Sequence, residues 1–188
     1  MGLLTGDNIA NVERIKITTE ETEPKTYVFQ TATSCKYTAS LSEGSEVVQR
    51  IKNTVMGLIK TDDLVKGYDI ELTDERIIME IMALVDGGNI TMGSGGNANQ
   101  WESYASPVAG QGVTRTPFTM TLYTSDRGTD GSANKYYAWA FAGCKGKPVS
   151  GSAEDGAFSK MTYNIESRPA NGTSALTVTR VDELPAVS

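Results

Sequence analysis

The chain contains no histidine. That removes imidazole general acid/base chemistry, the Ser-His-Asp and Cys-His nucleophile arrangements, and the commonest transition-metal ligand. Cysteine is nearly as scarce: Cys35 and Cys144 stand far apart in 188 residues. They match no metal or redox spacing and are too few for a disulfide scaffold, so both are expected as small buried thiols, with a disulfide as the minor alternative. Basic residues are the minority charge, 17 Lys and Arg against 23 Asp and Glu, for a net charge of −6. They are also scattered, whereas a protein that grips nucleic acid through phosphates needs them clustered. No run of about 18 apolar residues exists to span a membrane. The opening "MGLLTGDNIANVERIKI" lacks the basic start and apolar core of a signal peptide, and Gly6 stands where a myristoylation signal wants Ser or Thr. A protein made and kept in a cytoplasm is the expectation.

What is present is β-patterning. The composition, 39% hydrophobic and 21% charged, is that of a globular chain with enough apolar side chain for a core. Residues 1–10 read as an extended arm and 182–188 as a short tail around one domain, 1–188. Between them, Val12–Thr19, two strands within Thr26–Ser42 divided near Ser34, and the pair "SEVVQRIKN" and "TVMGLIKT" turning at Asn53 carry strand residues or alternation. In "VKGYDIELT", Tyr68, Ile70 and Leu72 face one way and Asp69 and Glu71 the other. Further strands are expected at "RTPFTMTLYTS", with Phe118, Met120 and Leu122 on one face, at Lys135–Cys144, at "FSKMTYNIES" and at "SALTVTRVDEL".

One segment changes period. From Thr73 an N-cap, acidic Asp74 and Glu75 in a first turn, and Ile77, Ile78, Ile81, Met82 and Val85 on one stripe predict a helix over about 73–86, closed by Gly87-Gly88. Residues 89–116, rich in glycine, are expected as one long loop. About nine strands and one flanking helix predict a mainly β protein, an antiparallel β-sandwich.

No motif assembles a reactive set. "DRGTDG" places Asp126, Asp130 and Gly131 at calcium-loop positions, but Gly128 and Tyr137 stand where ligands are needed, and a hairpin turn is the simpler reading. "GCKGKP" fails the phosphate-loop spacing. Asp69 and Glu71 share a strand face about 7 Å apart, yet no nucleophile accompanies them, and a water-facing strand surface accounts for both. No catalytic residue, cofactor or metal ligand is therefore expected. Trp101 and Tyr104, aromatic within the long loop, suit contact with another protein chain.

The run "SEGSEVVQRIKNTVMGLIKTDDLVKGYDIELTDERIIMEIMALVDGG", followed after a loop by "RTPFTMTLYTS", resembles the major tail (tail tube) proteins of long-tailed phages of Gram-positive bacteria. The resemblance covers about residues 37–125 and rests on the "KGYDI–LTD" strand, the "–MALVDGG" helix and the "RTPFT–Y" strand. It implies a sandwich or barrel-like tail-tube fold with one flanking helix and an extended N-terminal arm. It also implies assembly in the host cytoplasm into virion tails, as hexameric rings stacked into a hollow tube through which DNA passes without specific binding. Further copies of the chain, a tape-measure protein and tail-end or terminator proteins are the implied partners. On that reading, Leu3, Leu4, Trp101 and Tyr104 are candidate contacts between subunits. Glu43, Glu46, Asp69 and Glu71 are candidate lumen-facing acids, which would repel DNA phosphate. A reading of another class is a β-sandwich binding or adhesion module that stacks a carbohydrate or protein ligand on Trp101, Tyr104, Tyr136, Tyr137 and Trp139.

Overall fold

A computed structural model describes residues 7–94, 100–128 and 132–187. Thirteen strands and one helix occur among them, in the order β1 (Ile9–Thr19), β2 (Thr26–Phe29), β3 (Ala32–Ser42), β4 (Glu46–Ile51), β5 (Thr54–Lys60), β6 (Leu64–Asp74), α1 (Met79–Asp86), β7 (Asn89–Met92), β8 (Trp101–Ala105), β9 (Phe118–Arg127), β10 (Ala133–Gly146), β11 (Ser150–Ser152), β12 (Lys160–Ser167) and β13 (Leu176–Val181). The mainly β class with one flanking helix is as the patterning predicts. All strand pairings are antiparallel.

The main sheet runs β2-β1-β9-β10-β12-β6-β3, with β13 also on β10 and β11 on β12. Its path ends on β2 and β3 and does not close, so the barrel-like part of the expectation is replaced by an open sheet folded on itself. The fold is made by β10, whose first part pairs with β9 and β13 and whose last residues, Cys144–Gly146, pair with β12. A register shift between Phe141 and Cys144, with Gly143 at φ 58°, marks the corner; a bulge bends a strand in this way.

Alternating side chains from both halves meet between them. Ile15, Ile17, Phe118, Met120 and Phe141 come from one half, and Ile70, Leu72, Tyr163 and Ile165 from the other. Aromatic rings join the halves as well, Tyr37 of β3 lying 5.3 Å from Phe141 and 6.0 Å from Trp139. Cys144 is buried and Cys35 half-buried, and both are free thiols. Burial pushes each up to about 12, which leaves them as inert packing groups.

The helix starts later than its sequence suggests. Thr73 and Asp74 remain in β6 because both neighbours claim them: Asp74 pairs with Met161 of β12 and Ala32 of β3, and Thr73 with Thr162 and Ser34. The Asp74 carboxylate then accepts the Arg76 backbone N–H at 2.9 Å and turns the chain. Ile78 sits at the N-cap without a side-chain cap, and Ile77, expected on the core stripe, is 40% exposed ahead of the helix. Ile81 and Val85 are buried, and Ile78 and Met82 pack beside them. The C-terminus is as expected, Gly87 being left-handed at φ 82°.

The Gly-rich segment after α1 is not one loop. Asn89–Met92 and Trp101–Ala105 pair as a hairpin, and residues 95–99 lie outside the described set. The two strands expected within Thr26–Ser42, β2 and β3, divide at Gln30-Thr31 instead of near Ser34. Part of the N-terminal arm is sheet, since Ile9 and Ala10 pair with β9, with a bulge and a positive φ at Asn11.

Candidate functional site

The acidic face of β6 carries chemistry-bearing side chains, but they are already engaged. Asp69 accepts from Arg168 at 2.8 Å and lies 3.7 Å from Lys147, while Glu71 pairs with Lys36 at 3.1 Å. The Arg168 hydrogen bond, assisted by both cations, holds Asp69 below the usual carboxylate range. Glu166 joins through Lys147 at 3.1 Å. This is a solvated lattice of alternating charge, and the lowered Asp69 pKa keeps that carboxylate from serving as a proton donor near neutrality. Glu43 and Glu46, at the far end of β3 and the start of β4, are exposed and form no ion pair among the described residues. No cluster of three or more metal-ligating Cys, Asp or Glu side chains occurs among the described residues.

Tyr104 and Trp101 of β8 take separate roles. The Tyr104 hydroxyl donates to the buried Asp86 carboxylate at the helix C-terminus, and burial, with that carboxylate beside it, raises its pKa. Arg115 closes the same junction, its Nε donating to the carbonyls of Asp86 at 2.9 Å and Val85 at 3.2 Å, a cation where the helix dipole favours one. Tyr104 therefore ties the β7–β8 hairpin to α1. Trp101 is 51% exposed.

The stacking platform is not assembled. Tyr137 is buried, its hydroxyl donating to Asp7 and held by Arg180, and Trp139 donates from Nε1 to Thr124 at 2.9 Å. Trp139 belongs with Phe141, Tyr37 and Tyr68 in the cross-sheet aromatic packing. Leu3 and Leu4 lie outside the described residues.

Two surfaces that the patterning did not single out stand apart. The first is the β4–β5 hairpin, which pairs only with itself. Val47, Ile51, Val55, Met56, Leu58 and Ile59 are each more than half exposed, and at its base so are Leu64 and Val65. Alternation along these strands looks like that of a core strand, but none of the described residues forms a layer over either face. The second is a groove of about 550 Å³ between β2, the entry to α1 and β8. Tyr27, Phe29, Ile77, Trp101 and Val187 give it apolar walls, with Arg76 and Glu80 at its rim. The two surfaces lie at opposite ends of the β3–β6 pair, the hairpin following Ser42↔Leu64 and the groove adjoining Ala32↔Asp74.

No protein-family model matches the chain, and no curated protein matches it. Among solved structures, the cryo-EM structure of the anti-feeding prophage (AFP) baseplate, 6-fold symmetrised, aligns with a TM-score of 0.42 and 7% identity. The alignment covers 95% of this chain and 98% of that chain. A likeness of that degree carries no functional inference. No helix among the described residues is long and apolar enough to cross a membrane.

Proposed function

We propose that this chain is a structural, non-enzymatic subunit of a phage tail tube, built from hexameric rings of itself. The observation that carries the reading is the β4–β5 hairpin, whose two faces expose large apolar side chains with no covering layer among the described residues. An isolated two-stranded hairpin is marginal in water, and contiguous exposed apolar surface of this kind marks a contact surface. Sheet edges support the same reading, because β3 ends the sheet path among the described residues and offers an edge that an adjacent subunit can take up. The resemblance of residues 37–125 to major tail proteins supplies the kind of assembly.

In such a tube the chain's own copies are the first partners. A tape-measure protein in the lumen and tail-end proteins follow, and the site of action is the virion tail after assembly in the host cytoplasm. Glu43 and Glu46, exposed and without ion pairs among the described residues, are the better placed of the candidate lumen acids, since Asp69 and Glu71 have their charge offset by Arg168, Lys147 and Lys36. Electron microscopy of the purified full chain at high concentration tests the proposal. Rings of six and stacked tubes are expected; a species that stays monomeric at every concentration overturns it.

A further inference from the structure

We infer that the β4–β5 hairpin of one copy docks into the groove between β2, α1 and β8 of the next, a head-to-tail contact that propagates along the β3–β6 axis. The inference rests on the self-assembling reading above and names the two surfaces that meet. Geometry comes first. The hairpin and the groove sit at opposite ends of an eleven-residue strand pair, β3 with β6, a separation on the order of 30 Å. One chain therefore cannot fill its own groove with its own hairpin. A contact between two different surfaces of identical subunits is heterologous, and repeats without self-limitation unless it closes into a ring.

Chemistry agrees with geometry. The hairpin, residues 46–60, holds Arg50, Lys52 and Lys60 against the single acid Glu46, a net charge of +2 in an acidic protein. Arg50 and Lys52 are exposed at its tip beside Ile51. The groove itself holds one acid, Glu80, and Glu102 lines an adjoining depression that shares Trp101; both are exposed and without ion pairs among the described residues. Arg76 is the one cation in the lining. Apolar side chains flanked by cations on one end, and an apolar slot with Glu80 in its lining and Glu102 beside it on the other, make a docked centre with a charged rim. Trp101 and Ile77, half-exposed at the slot, are the anchors this contact would desolvate.

Cysteine pairing tests the contact on the full chain, because Ile51 and Ile77 are both exposed and the native thiols are packed away. Ile51→Cys and Ile77→Cys proteins, each with an unchanged melting temperature, are mixed under conditions in which the parent protein assembles, then oxidised and run on non-reducing gels. A mixed dimer that neither variant forms alone is expected. A doubly substituted chain should give a ladder of oligomers. Independently, Arg50→Glu should raise the concentration needed for assembly about tenfold or more, and Glu80→Arg in the same chain should recover most of that loss. Ile51→Cys protein that crosslinks to itself as readily as to Ile77→Cys protein overturns the inference, because hairpins then meet each other. So does an absence of mixed crosslinks in protein that still forms assemblies, which leaves the tail-tube reading standing. Protein that never assembles overturns both.

Discussion

The β9–β10 pair and the β4–β5 pair use the same alphabet to opposite ends. In β9, Phe118, Met120 and Leu122 alternate with threonine and tyrosine and are 3% exposed or less. In β4–β5, Val47, Ile51, Val55, Leu58 and Ile59 are divided between the two faces and are all 54% exposed or more. The difference lies in what faces each pair. The β9–β10 surface meets Ile70, Leu72, Tyr163 and Ile165 across the fold, whereas the hairpin leaves the sheet at Ser42 and returns at Leu64 with no opposing layer among the described residues. A period of two tells which residues share a face but not whether another face arrives to cover it. One region thus carries the stability of the single chain, and on the proposed reading the other is left for contacts between chains.

Substitutions that break the covered region should have the largest effect. Ile81→Asp places a carboxylate at a fully packed position between α1 and the sheet; a loss of about 4 kcal/mol or more is expected, read as failure to fold by circular dichroism. Gly146→Ala is the next step down. A Cβ there would run into the backbone of Val85, so α1 must lift from the end of β10, at a cost of about 2 kcal/mol in urea unfolding.

Asp74→Asn sharpens the comparison from inside the core. Burial raises the Asp74 pKa, only partly offset by the N–H groups and the Thr31 hydroxyl near it. Its Oδ2 has no hydrogen-bond partner among the described residues, nor have the hydroxyls of Tyr163 and Thr31; Tyr163 is itself pushed up to about 12 by burial and by the nearby Asp74 charge. A carboxyl whose folded pKa is raised favours the fold below its unfolded pKa, and that contribution is lost as pH rises through the folded pKa. The asparagine keeps the Oδ1 acceptor for Arg76 and adds donors toward the idle oxygens. It should gain about 1 kcal/mol at pH 7 and flatten the stability profile above pH 4 in denaturant titrations. A loss of stability at pH 7 would show that the buried charge is needed.

Leu58→Ala has the smallest expected effect on the single chain. A side chain 58% exposed should change unfolding free energy by about 0.5 kcal/mol or less, while sedimentation velocity shows weakened assembly. An equal change at Met120, buried in β9, should cost about 2–5 kcal/mol.

These contrasts also mark what was legible beforehand. The alternation of Tyr68, Ile70 and Leu72 in β6, and of Phe118, Met120 and Leu122 in β9, marks buried faces because three successive positions on one side of each strand are apolar. The helix start was misplaced because Thr73, Asp74 and Glu75 imitate a cap; strand partners on both sides outcompete local capping there. The β7–β8 hairpin was hidden in glycine and polar residues, and it is anchored by one long-range hydroxyl–carboxylate contact, Tyr104 to Asp86, that no local pattern encodes. Salt bridges across β6 were equally invisible, since Lys147 and Arg168 approach Asp69 from distant sequence. The uncovered hairpin could be read as a hairpin, with its turn at Lys52-Asn53, but its exposure depends on the absence of an opposing layer.

Hydrogen exchange compared between dilute and assembled full chain tests the central claim most directly, because it reads the two strand pairs in one experiment. The account predicts that β9 and β10 amides are strongly protected in both states. Residues 46–60 should exchange freely when dilute and become at least about tenfold slower on assembly. Hairpin amides as protected as those of β9 in the dilute monomer, or still exchanging freely in assembled protein, would contradict it.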